Sequence, residues 1–365
     1  MWPNTTRFNN NEKMRSGPLN IEPVNTESQT VSAIQVGIDD GYAYTKLALP
    51  DGRLLATPSR AQYGRSKVSW LNQAERRIFE YETDGTTYSV GDVDTAATRF
   101  DGFACSGMNR AIVQHALQQA GLEGSDVEAV SGLPVSAFYR STGDRRNRAI
   151  KDKRQNLLQP VRPSGEALAV DIVFHEVIPE ALAAWYDYVI VEKNGEAQLD
   201  QTRVSVPIAV VDIGGRTTDT VVVRDQGILH QSSGSFQFGL LDVQQALAEA
   251  LQERFDLEGV GDRLLIHAVQ RKVVRLYGRD HDVTAEVNAA KQELVERLYA
   301  ETRRQLGRAI ELDRVLFVGG GVVALADHIS DWFPNQLIAE QPAFANARGM
   351  LKYLQLVCER ADVAE

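Results

Sequence analysis

Two segments of the sequence place carboxylates and glycine in the same pattern, in which an apolar run ends in Asp, a glycine turn follows, and a second apolar run begins. Glycine lets the backbone bend so that its N–H groups point inward and bind an anion, while a strand-end Asp can hold a divalent cation through water. Two such loops can bind one triphosphate from opposite sides. The turns are Asp39-Asp40-Gly41, within residues 36–46, and Asp212-Ile213-Gly214-Gly215, within residues 210–219.

Each turn also has a simpler explanation. Asp-Gly is usual in tight hairpin turns, and for the first turn alone that explanation is the better one. The second turn combines two glycines, two threonines and two carboxylates between apolar strands, which favours a functional site. The turns lie about one α/β domain apart, so phosphate binding explains the pair better. The candidate phosphate-binding residues are Asp39, Asp40, Gly41, Tyr42 and Ala43 in the first loop and Asp212, Gly214, Gly215, Arg216 and Thr217 in the second, with Asp39 and Asp212 as candidate metal ligands.

Further residues extend this candidate site. Lys46 follows the first turn among apolar neighbours, and it is either a solvated strand residue or an ammonium that reaches back to the phosphates; we favour the second. Gly319-Gly320-Gly321 follows a predicted strand and opens a helix, where it forms either a simple turn or a contact with the sugar and base of a ligand. We favour ligand contact. Gly239, which begins a predicted helix, completes the candidate ligand-binding set.

Glu180 and a run of basic residues each have a structural explanation besides a functional one. Glu180 follows Pro179 where a predicted strand leads into a helix with proline near its first turn, and from the residues alone it most simply complements the helix dipole. The alternative is a carboxylate that orients a water molecule for attack on a γ-phosphate. The basic run over residues 140–154 predicts a solvated helix face, with a contact to a subunit or an acidic partner as the alternative.

Composition excludes several classes of protein. The net charge of −10, from 39 basic and 49 acidic residues, argues against a broad nucleic-acid-binding surface. A hydrophobic content of 43% and a charged content of 24% are ordinary for a globular chain, and no run of apolar residues is long enough to span a bilayer. Cys105 and Cys358 match no metal-site spacing, so we expect packed thiols in a reducing compartment and a cytoplasmic protein without membrane contact.

The 365 residues exceed the usual size of a single core, which predicts two domains with a cleft between them. Residues 1–32 are polar and predict a disordered tail. A strand-rich segment followed by helices then occurs twice, which predicts a duplicated α/β fold with domain I over residues 33–205 and domain II over 206–365. The sequence predicts strands over 34–38, 44–49, 53–57, 78–81, 87–90, 127–130, 208–212, 220–223, 227–230 and 314–318, and helices over 108–120, 239–255 and 283–308.

The order of these motifs resembles that of the actin superfamily of ATPases, and within it the ParM/StbA plasmid-segregation actins. The resemblance spans about residues 34–355. It implies two actin-type, ribonuclease H-like domains, with ATP and Mg²⁺ in the cleft and with the C-terminal helix packed back on domain I. The motifs that carry it are Asp39-Asp40-Gly41, Leu133-Pro134-Val135 with Phe138-Tyr139, Ile178-Pro179-Glu180, Asp212-Ile213-Gly214-Gly215 and Val318-Gly319-Gly320-Gly321.

The resemblance also implies roles for individual residues. Glu180 matches the carboxylate that activates water, and with Asp212 it forms the candidate catalytic pair. Tyr42 departs from the Ser or Thr that the family has, so a hydroxyl contact to the terminal phosphate is missing or replaced by a backbone N–H. Arg216 replaces a small residue, and it either adds a phosphate contact or points to solvent. The matches to the phosphate and magnesium loops are Asp39, Gly41, Lys46, Asp212, Gly214, Gly215 and Thr217, and the match to the adenosine loop is Gly319–Gly321.

The function that the resemblance implies is an ATP-hydrolysing protein that assembles into filaments and segregates plasmid DNA. The DNA would be contacted only indirectly, through a DNA-binding adaptor of ParR type. Two alternatives stay open, namely a small-molecule kinase of the same superfold and a non-polymerising regulatory ATPase. Likeness of fold alone does not separate them.

Overall fold

The computed structural model describes residues 32–72, 74, 77–93, 98–193 and 196–358, so the predicted tail lies outside the described residues except for Ser32. The strands are β1 Ile34–Asp40, β2 Tyr44–Ala48, β3 Leu54–Pro58, β4 Ala61–Tyr63, β5 Ile78–Thr83, β6 Thr86–Gly91, β7 Asp126–Leu133, β8 Arg162–Pro163, β9 Asp171–Pro179, β10 Ile190–Lys193, β11 Glu196–Leu199, β12 Ile208–Ile213, β13 Thr218–Arg224, β14 Gly227–Ile228, β15 Gly234–Phe236, β16 Val273–Leu276, β17 Arg279–Asp282, β18 Arg314–Val318 and β19 Gln336–Ile338.

The helices alternate with these strands in both halves of the chain. The α-helices are α1 Gly107–Gln119, α2 Val135–Phe138, α3 Asn147–Leu157, α4 Leu182–Val189, α5 Gln201–Val204, α6 Leu240–Phe255, α7 Asp262–Arg271, α8 Thr284–Leu306, α9 Gly320–Ala324 and α10 Ala345–Tyr353. Short 3₁₀ turns occur at Phe103–Cys105, His230–Ser232, Ala326–His328 and Pro342–Phe344, and α10 continues as a π-helical turn over Leu354–Cys358.

Two central sheets share one topology. The first has the strand order β3-β2-β1-β7-β9, and the second has the order β14-β13-β12-β18-β19, with β15 also paired to β13. In each sheet an antiparallel hairpin lies beside a parallel strand, β7 next to β1 in the first and β18 next to β12 in the second. The predicted duplicated α/β fold is therefore confirmed, and the glycine turn of each hairpin lies at the same place in its sheet.

The central strands are buried because helices cover them. In β12 every residue is buried, which is typical of a strand covered on both faces. Helix α10 approaches β1 and α4 closely because two glycines remove the side chains between them. A Cβ atom on Gly37 would lie 1.9 Å from the carbonyl oxygen of Ala347, and one on Gly349 would lie 1.7 Å from that of Ala183. Helix α10 thus joins the end of the chain to the first sheet.

The structure differs from the expectations in several regions. Pro179 ends β9 and does not begin the following helix, because Glu180 and Ala181 form a turn in which Ala181 has φ 60°. The sequence also did not predict the hairpin β10–β11 or the unit of α7 with β16 and β17, since most of these elements are short. Within the part of the chain that the structure describes, no helix is both long and apolar enough to cross a membrane.

Candidate functional site

The two glycine turns face each other across a cavity. A Cβ atom on Gly215 would lie 3.0 Å from the Cβ of Ala43 and 3.3 Å from its backbone nitrogen, so the loops nearly touch. Most of the predicted site residues line this cavity, although they come from distant parts of the sequence. Those residues are Asp39, Asp40, Gly41, Tyr42, Ala43, Lys46, Glu180, Asp212, Gly214, Gly215, Arg216, Thr217, Gly320 and Gly321.

Two predicted glycines lie behind the second loop and not on the cavity wall. A Cβ atom on Gly319, which has φ 96°, would lie 2.3 Å from Oδ1 of Asp212. One on Gly239 would lie 2.7 Å from the carbonyl oxygens of Gly214 and Gly215. Both glycines are explained by this close packing, since any side chain there would push the second loop out of place.

Lys46 and Asp39 form an ion pair at the first loop. They lie opposite each other in the β1–β2 hairpin, and Lys46 Nζ donates to Asp39 Oδ2 at 2.8 Å. The two side chains are only 14% and 8% exposed, so Lys46 is not a solvated strand residue. Burial by itself lowers the pKa of Lys46, but the carboxylates of Asp39, Asp212 and Glu180 together outweigh it, and the pKa lies above its ordinary value. The cavity therefore contains a permanent cation.

Asp212 at the second loop is held by a residue that sequence reasoning missed. Asn346, in α10, donates through Nδ2 to Asp212 Oδ2 at 2.6 Å, and its Oδ1 accepts from the backbone nitrogen of Ala181 at 3.2 Å. Burial raises the pKa of Asp212 to about 7, and the negative charges of Asp39 and Asp219 add to the rise. No local pattern around Asn346 indicates this role, because it depends on where α10 packs.

Asp219 links the second hairpin to the Leu133-Pro134-Val135 motif. It lies opposite Asp212 in the β12–β13 pair, and its Oδ1 accepts hydrogen bonds from the backbone nitrogen of Val135, at 2.7 Å, and from the hydroxyl of Ser235. Burial raises the pKa of Asp219 to about 6, although these hydrogen bonds oppose the rise. The motif is thus tied to the second loop through one buried carboxylate.

Glu180 lies in the turn between β9 and α4, on the wall of the same cavity. A Cβ atom on Gly132 would lie 2.7 Å from Glu180 Cγ, so the strand β7 must have glycine beside this side chain. Glu180 precedes the N-cap residue Ala181 of α4, so it lies outside the first turn of the helix whose dipole it was expected to complement. Burial, with the charges of Asp219, Asp39 and Asp212, raises the pKa of Glu180 well above its usual range.

The carboxylate of Asp40 is bound into the fold. Its Oδ2 accepts from Asn109 Nδ2 at 2.7 Å and forms an ion pair with Lys153, whose side chain is completely buried. The prediction of a solvated face is therefore wrong for Lys153, because α3 turns Lys153 inward together with Ile150 and Leu157. Burial raises the pKa of Asp40 even though Lys153 opposes the rise. The helical spacing of Lys153 with Ile150 and Leu157 was the sequence signal that could have predicted its burial.

Tyr42 and Arg216, the two departures from the family pattern, contact each other. The guanidinium carbon of Arg216 lies 5.1 Å from the centre of the Tyr42 ring, and Arg216 Nη2 donates to Asp101 Oδ1 at 2.7 Å. Arg216 therefore does not point to solvent. It bridges the second loop to the first half of the chain.

A second cavity continues from the first and has a different character. It shares Tyr42, Ala43, Tyr44, Leu240 and Gly320 with the first cavity. Its remaining wall combines aliphatic residues, mostly from α6, α7 and α9, with polar and charged residues such as Arg60 and Arg263. The whole cleft suits an elongated ligand with an anionic end and a flat end that contacts both aliphatic and polar side chains. The aliphatic residues are Leu241, Ile266, Val269, Val323 and Ala324, together with Pro58 from β3.

The charged end of the cleft fits a divalent cation with an incomplete protein ligand set. Asp39 and Asp212 offer carboxylate oxygens, which are the ligands that Mg²⁺ prefers, and their mutual repulsion contributes to the raised pKa of Asp212. Among the residues that the structure describes, no group of three or more His, Cys, Asp or Glu side chains is arranged to hold a metal ion. A cation here would take its other ligands from water and phosphate.

Both halves of the chain match known protein families. Residues 34–190 match the family described as plasmid segregation protein ParM, N-terminal, and residues 210–331 match the one described as archaeal actin homologue MreB-like, C-terminal. The archaeal actin homolog of Thermoplasma acidophilum is 26% identical over 336 residues, which cover 87% of this chain and 97% of the relative. That of Thermoplasma volcanium is 24% identical over 331 residues, with 87% and 97% covered.

Solved structures show the same fold. The crystal structure of Ta0583, an archaeal actin homolog, in complex with ADP has a TM-score of 0.68 at 22% identity and covers 88% of this chain and 99% of its own. A 15-stranded ParM filament from Clostridium botulinum has a TM-score of 0.67 at 18% identity, with 88% and 99% covered. The fold of this chain is thus the actin-like fold.

Proposed function

Since the chain belongs to the actin superfamily, we propose that it binds ATP with Mg²⁺ in this cleft and hydrolyses the terminal phosphate bond. The observation that carries the proposal is the meeting of two glycine loops around Lys46 and a group of buried carboxylates. The backbone N–H groups and Lys46 bind the phosphates, and the second cavity, beside α6, α7 and α9, receives the nucleoside.

Asp39 and Asp212 would hold the Mg²⁺, which supplies positive charge beside the phosphates when it is bound. Glu180 orients the attacking water and accepts its proton. The raised pKa of Glu180 makes its carboxylate a stronger base, which suits this task. Asn346 hydrogen-bonds both Asp212 and the backbone beside Glu180, so it fixes the position of the Glu180 carboxylate relative to the second loop.

The proposal extends to filament assembly and to the segregation of plasmid DNA through a DNA-binding adaptor of ParR type, in the cytoplasm. Its support is the match of residues 34–190 to the ParM family and the likeness in fold to a ParM filament subunit. The net charge of −10 favours a protein adaptor over direct contact with DNA.

Light scattering, pelleting and electron microscopy of the purified protein test this function. The conditions are ATP with Mg²⁺, ADP with Mg²⁺, and no nucleotide, and each is repeated with Glu180→Ala. We expect filaments that require ATP and persist longer in the variant, since hydrolysis would destabilise them. Tight ATP binding without assembly over a wide concentration range would contradict the filament proposal, and hydrolysis stimulated by a small-molecule acceptor would then favour a kinase.

A further inference from the structure

Two apolar side chains of the second half, Tyr277 and Ile310, are almost completely exposed, at 91% and 82% of their full surface. Tyr277 lies in the turn of the hairpin β16–β17, and Ile310 lies in the loop between α8 and β18. A single exposed apolar residue is ordinary, because much of any protein surface is apolar. The backbone around these two residues and their places in the fold indicate a contact outside the single copy.

Tyr277 occupies a backbone position that a bulky residue rarely adopts. The pairing of Leu276 with Arg279 leaves Tyr277 and Gly278 as a two-residue turn, with φ 49° and 76°. Such a turn needs a positive φ at both residues, and Asn-Gly or Asp-Gly is the usual sequence. An aromatic residue there is unfavourable, and its 91% exposure shows that packing within the chain does not compensate.

Ile310 is presented by a loop that the fold holds in place. Asn335 Nδ2 donates to the carbonyl oxygen of Ala309 at 3.1 Å and to that of Leu312 at 2.6 Å. Ala309 is buried in the core of the second half, and Leu312 packs against the same core. The side chain of Ile310 therefore points outward from a fixed loop, which loses little conformational entropy when it binds a partner.

Helix α8 separates the two exposed side chains. It begins directly after the hairpin and ends shortly before Ile310, and its 23 residues are about 35 Å long. The hairpin strands have four residues each, or about 13 Å, so the turn with Tyr277 stays much nearer to the start of α8 than to its end. Tyr277 and Ile310 thus cannot meet within one copy. A contact between two different surfaces of identical copies can repeat into an open filament.

We propose that Tyr277 of one copy packs against Ile310 of the next and that repetition of this contact builds the filament. This inference rests on the filament assembly in the proposed function. The neighbouring charges agree with it. Arg279, beside the turn, is exposed and forms no ion pair within the described part of the chain, while Glu311, beside Ile310, is 76% exposed in its ion pair with Arg224. Glu311 can therefore pair with Arg279 of the next copy.

Charge insertion at either end tests the contact. For Tyr277→Asp and for Ile310→Asp we expect the protein concentration needed for assembly with Mg²⁺·ATP to rise about tenfold or more, because a carboxylate would be buried unpaired in an apolar contact. The affinity for Mg²⁺·AMP-PNP should change less than twofold, since neither residue lines the cleft. Leu168→Asp is the matched control, because Leu168 is 65% exposed in the first half and should leave assembly unchanged.

Cross-linking shows whether the two residues meet. In a Cys105→Ser background, which removes an exposed thiol, the double variant Tyr277→Cys with Ile310→Cys is treated with a short bis-maleimide under assembly conditions. We expect a ladder of covalent oligomers with Mg²⁺·ATP and none from either single cysteine variant. Filaments without this ladder, or assembly of the Asp variants at the ordinary concentration, would overturn the inference while the proposed function stands. If the unaltered protein formed no filaments, the proposed function would fail first, and this inference with it.

Discussion

The two glycine loops occupy equivalent places in equivalent sheets, yet they are held in different ways. The first loop is fixed within its own half, because Asp40 is buried against Lys153 and Asn109. The second loop is fixed to other parts of the chain, since Asp219 accepts from Val135 and Asp212 accepts from Asn346. The first loop is therefore fixed by residues of its own half. The second is fixed by residues from outside its own sheet.

The nature of the anchors differs as well. The first loop uses a buried ion pair, whose charges cost much free energy when either partner is lost. The second uses neutral donors, a backbone amide and a side-chain amide, which can exchange for other partners at a smaller cost. This difference suits a site in which one loop holds the nucleotide and the other responds to it.

The largest effect should come from breaking the anchor of the first loop. Lys153→Met leaves the Asp40 carboxylate buried without its cation, and we expect the free energy of unfolding to fall by about 3–5 kcal/mol. Lys151→Met is the matched control, because Lys151 is exposed on the same helix and should change stability by less than about 0.5 kcal/mol. Urea unfolding measures both. Equal stability of the two variants would show that the ion pair does not anchor the loop.

Breaking the anchor of the second loop should affect hydrolysis more than binding. Asn346→Ala removes the donor to Asp212 and the acceptor for the backbone nitrogen of Ala181. The turn that contains Glu180 is then no longer held in a fixed position relative to the second loop. We expect kcat to fall roughly 10- to 100-fold, because a lost buried hydrogen bond costs about 1–3 kcal/mol. The affinity for Mg²⁺·ADP should change less than threefold. A loss confined to nucleotide affinity, with kcat unchanged, would contradict the proposed coupling.

The stability of the protein should depend on pH through the two buried carboxylates of the second hairpin, Asp212 and Asp219. The pKa values of Asp212 and Asp219, about 7 and about 6, lie above the ordinary 3.8, so the folded chain binds these protons more tightly than the unfolded chain. The protein without ligand should therefore lose stability as the pH rises from about 4 through 7. Thermal unfolding across this range measures the trend, and increasing stability toward pH 7 would oppose it.

The same protons compete with the cation. Binding of Mg²⁺·nucleotide should displace the proton of Asp212, so affinity should rise roughly tenfold between pH 6 and pH 8, as one group with a pKa of about 7 requires. Titrations in buffers with different ionisation heats would detect the released proton. Asp212→Asn should flatten the pH dependence, and an unchanged profile in that variant would assign the proton to another group.

The local parts of the fold were predictable from sequence, and the tertiary parts were not. The hairpins around Gly41 and Gly214 follow from apolar runs that flank glycine turns, and the long helix α8 follows from regular apolar spacing. Pro179 was assigned to the wrong element, because a proline after an apolar run fits a strand end as well as a helix start. The division into domains at residues 205 and 206 stays a prediction.

The same distinction applies to the site. The site residues within the two loops were predictable, because glycine and Asp lie next to each other in the sequence. Asn346 and the contact between Arg216 and Tyr42 arise only when distant segments pack together, so no local pattern indicates them. Lys153 lies between these cases, because its helical spacing with Ile150 and Leu157 was visible but its partner Asp40 was not.

A crystal structure of the protein with Mg²⁺·AMP-PNP tests the central claim most directly. The account predicts the terminal phosphate between the turns at Gly41 and Gly214, with Lys46 in contact with it and the adenosine against α6, α7 and α9. A nucleotide bound elsewhere, or a cleft that stays empty at saturating Mg²⁺·AMP-PNP, would contradict it.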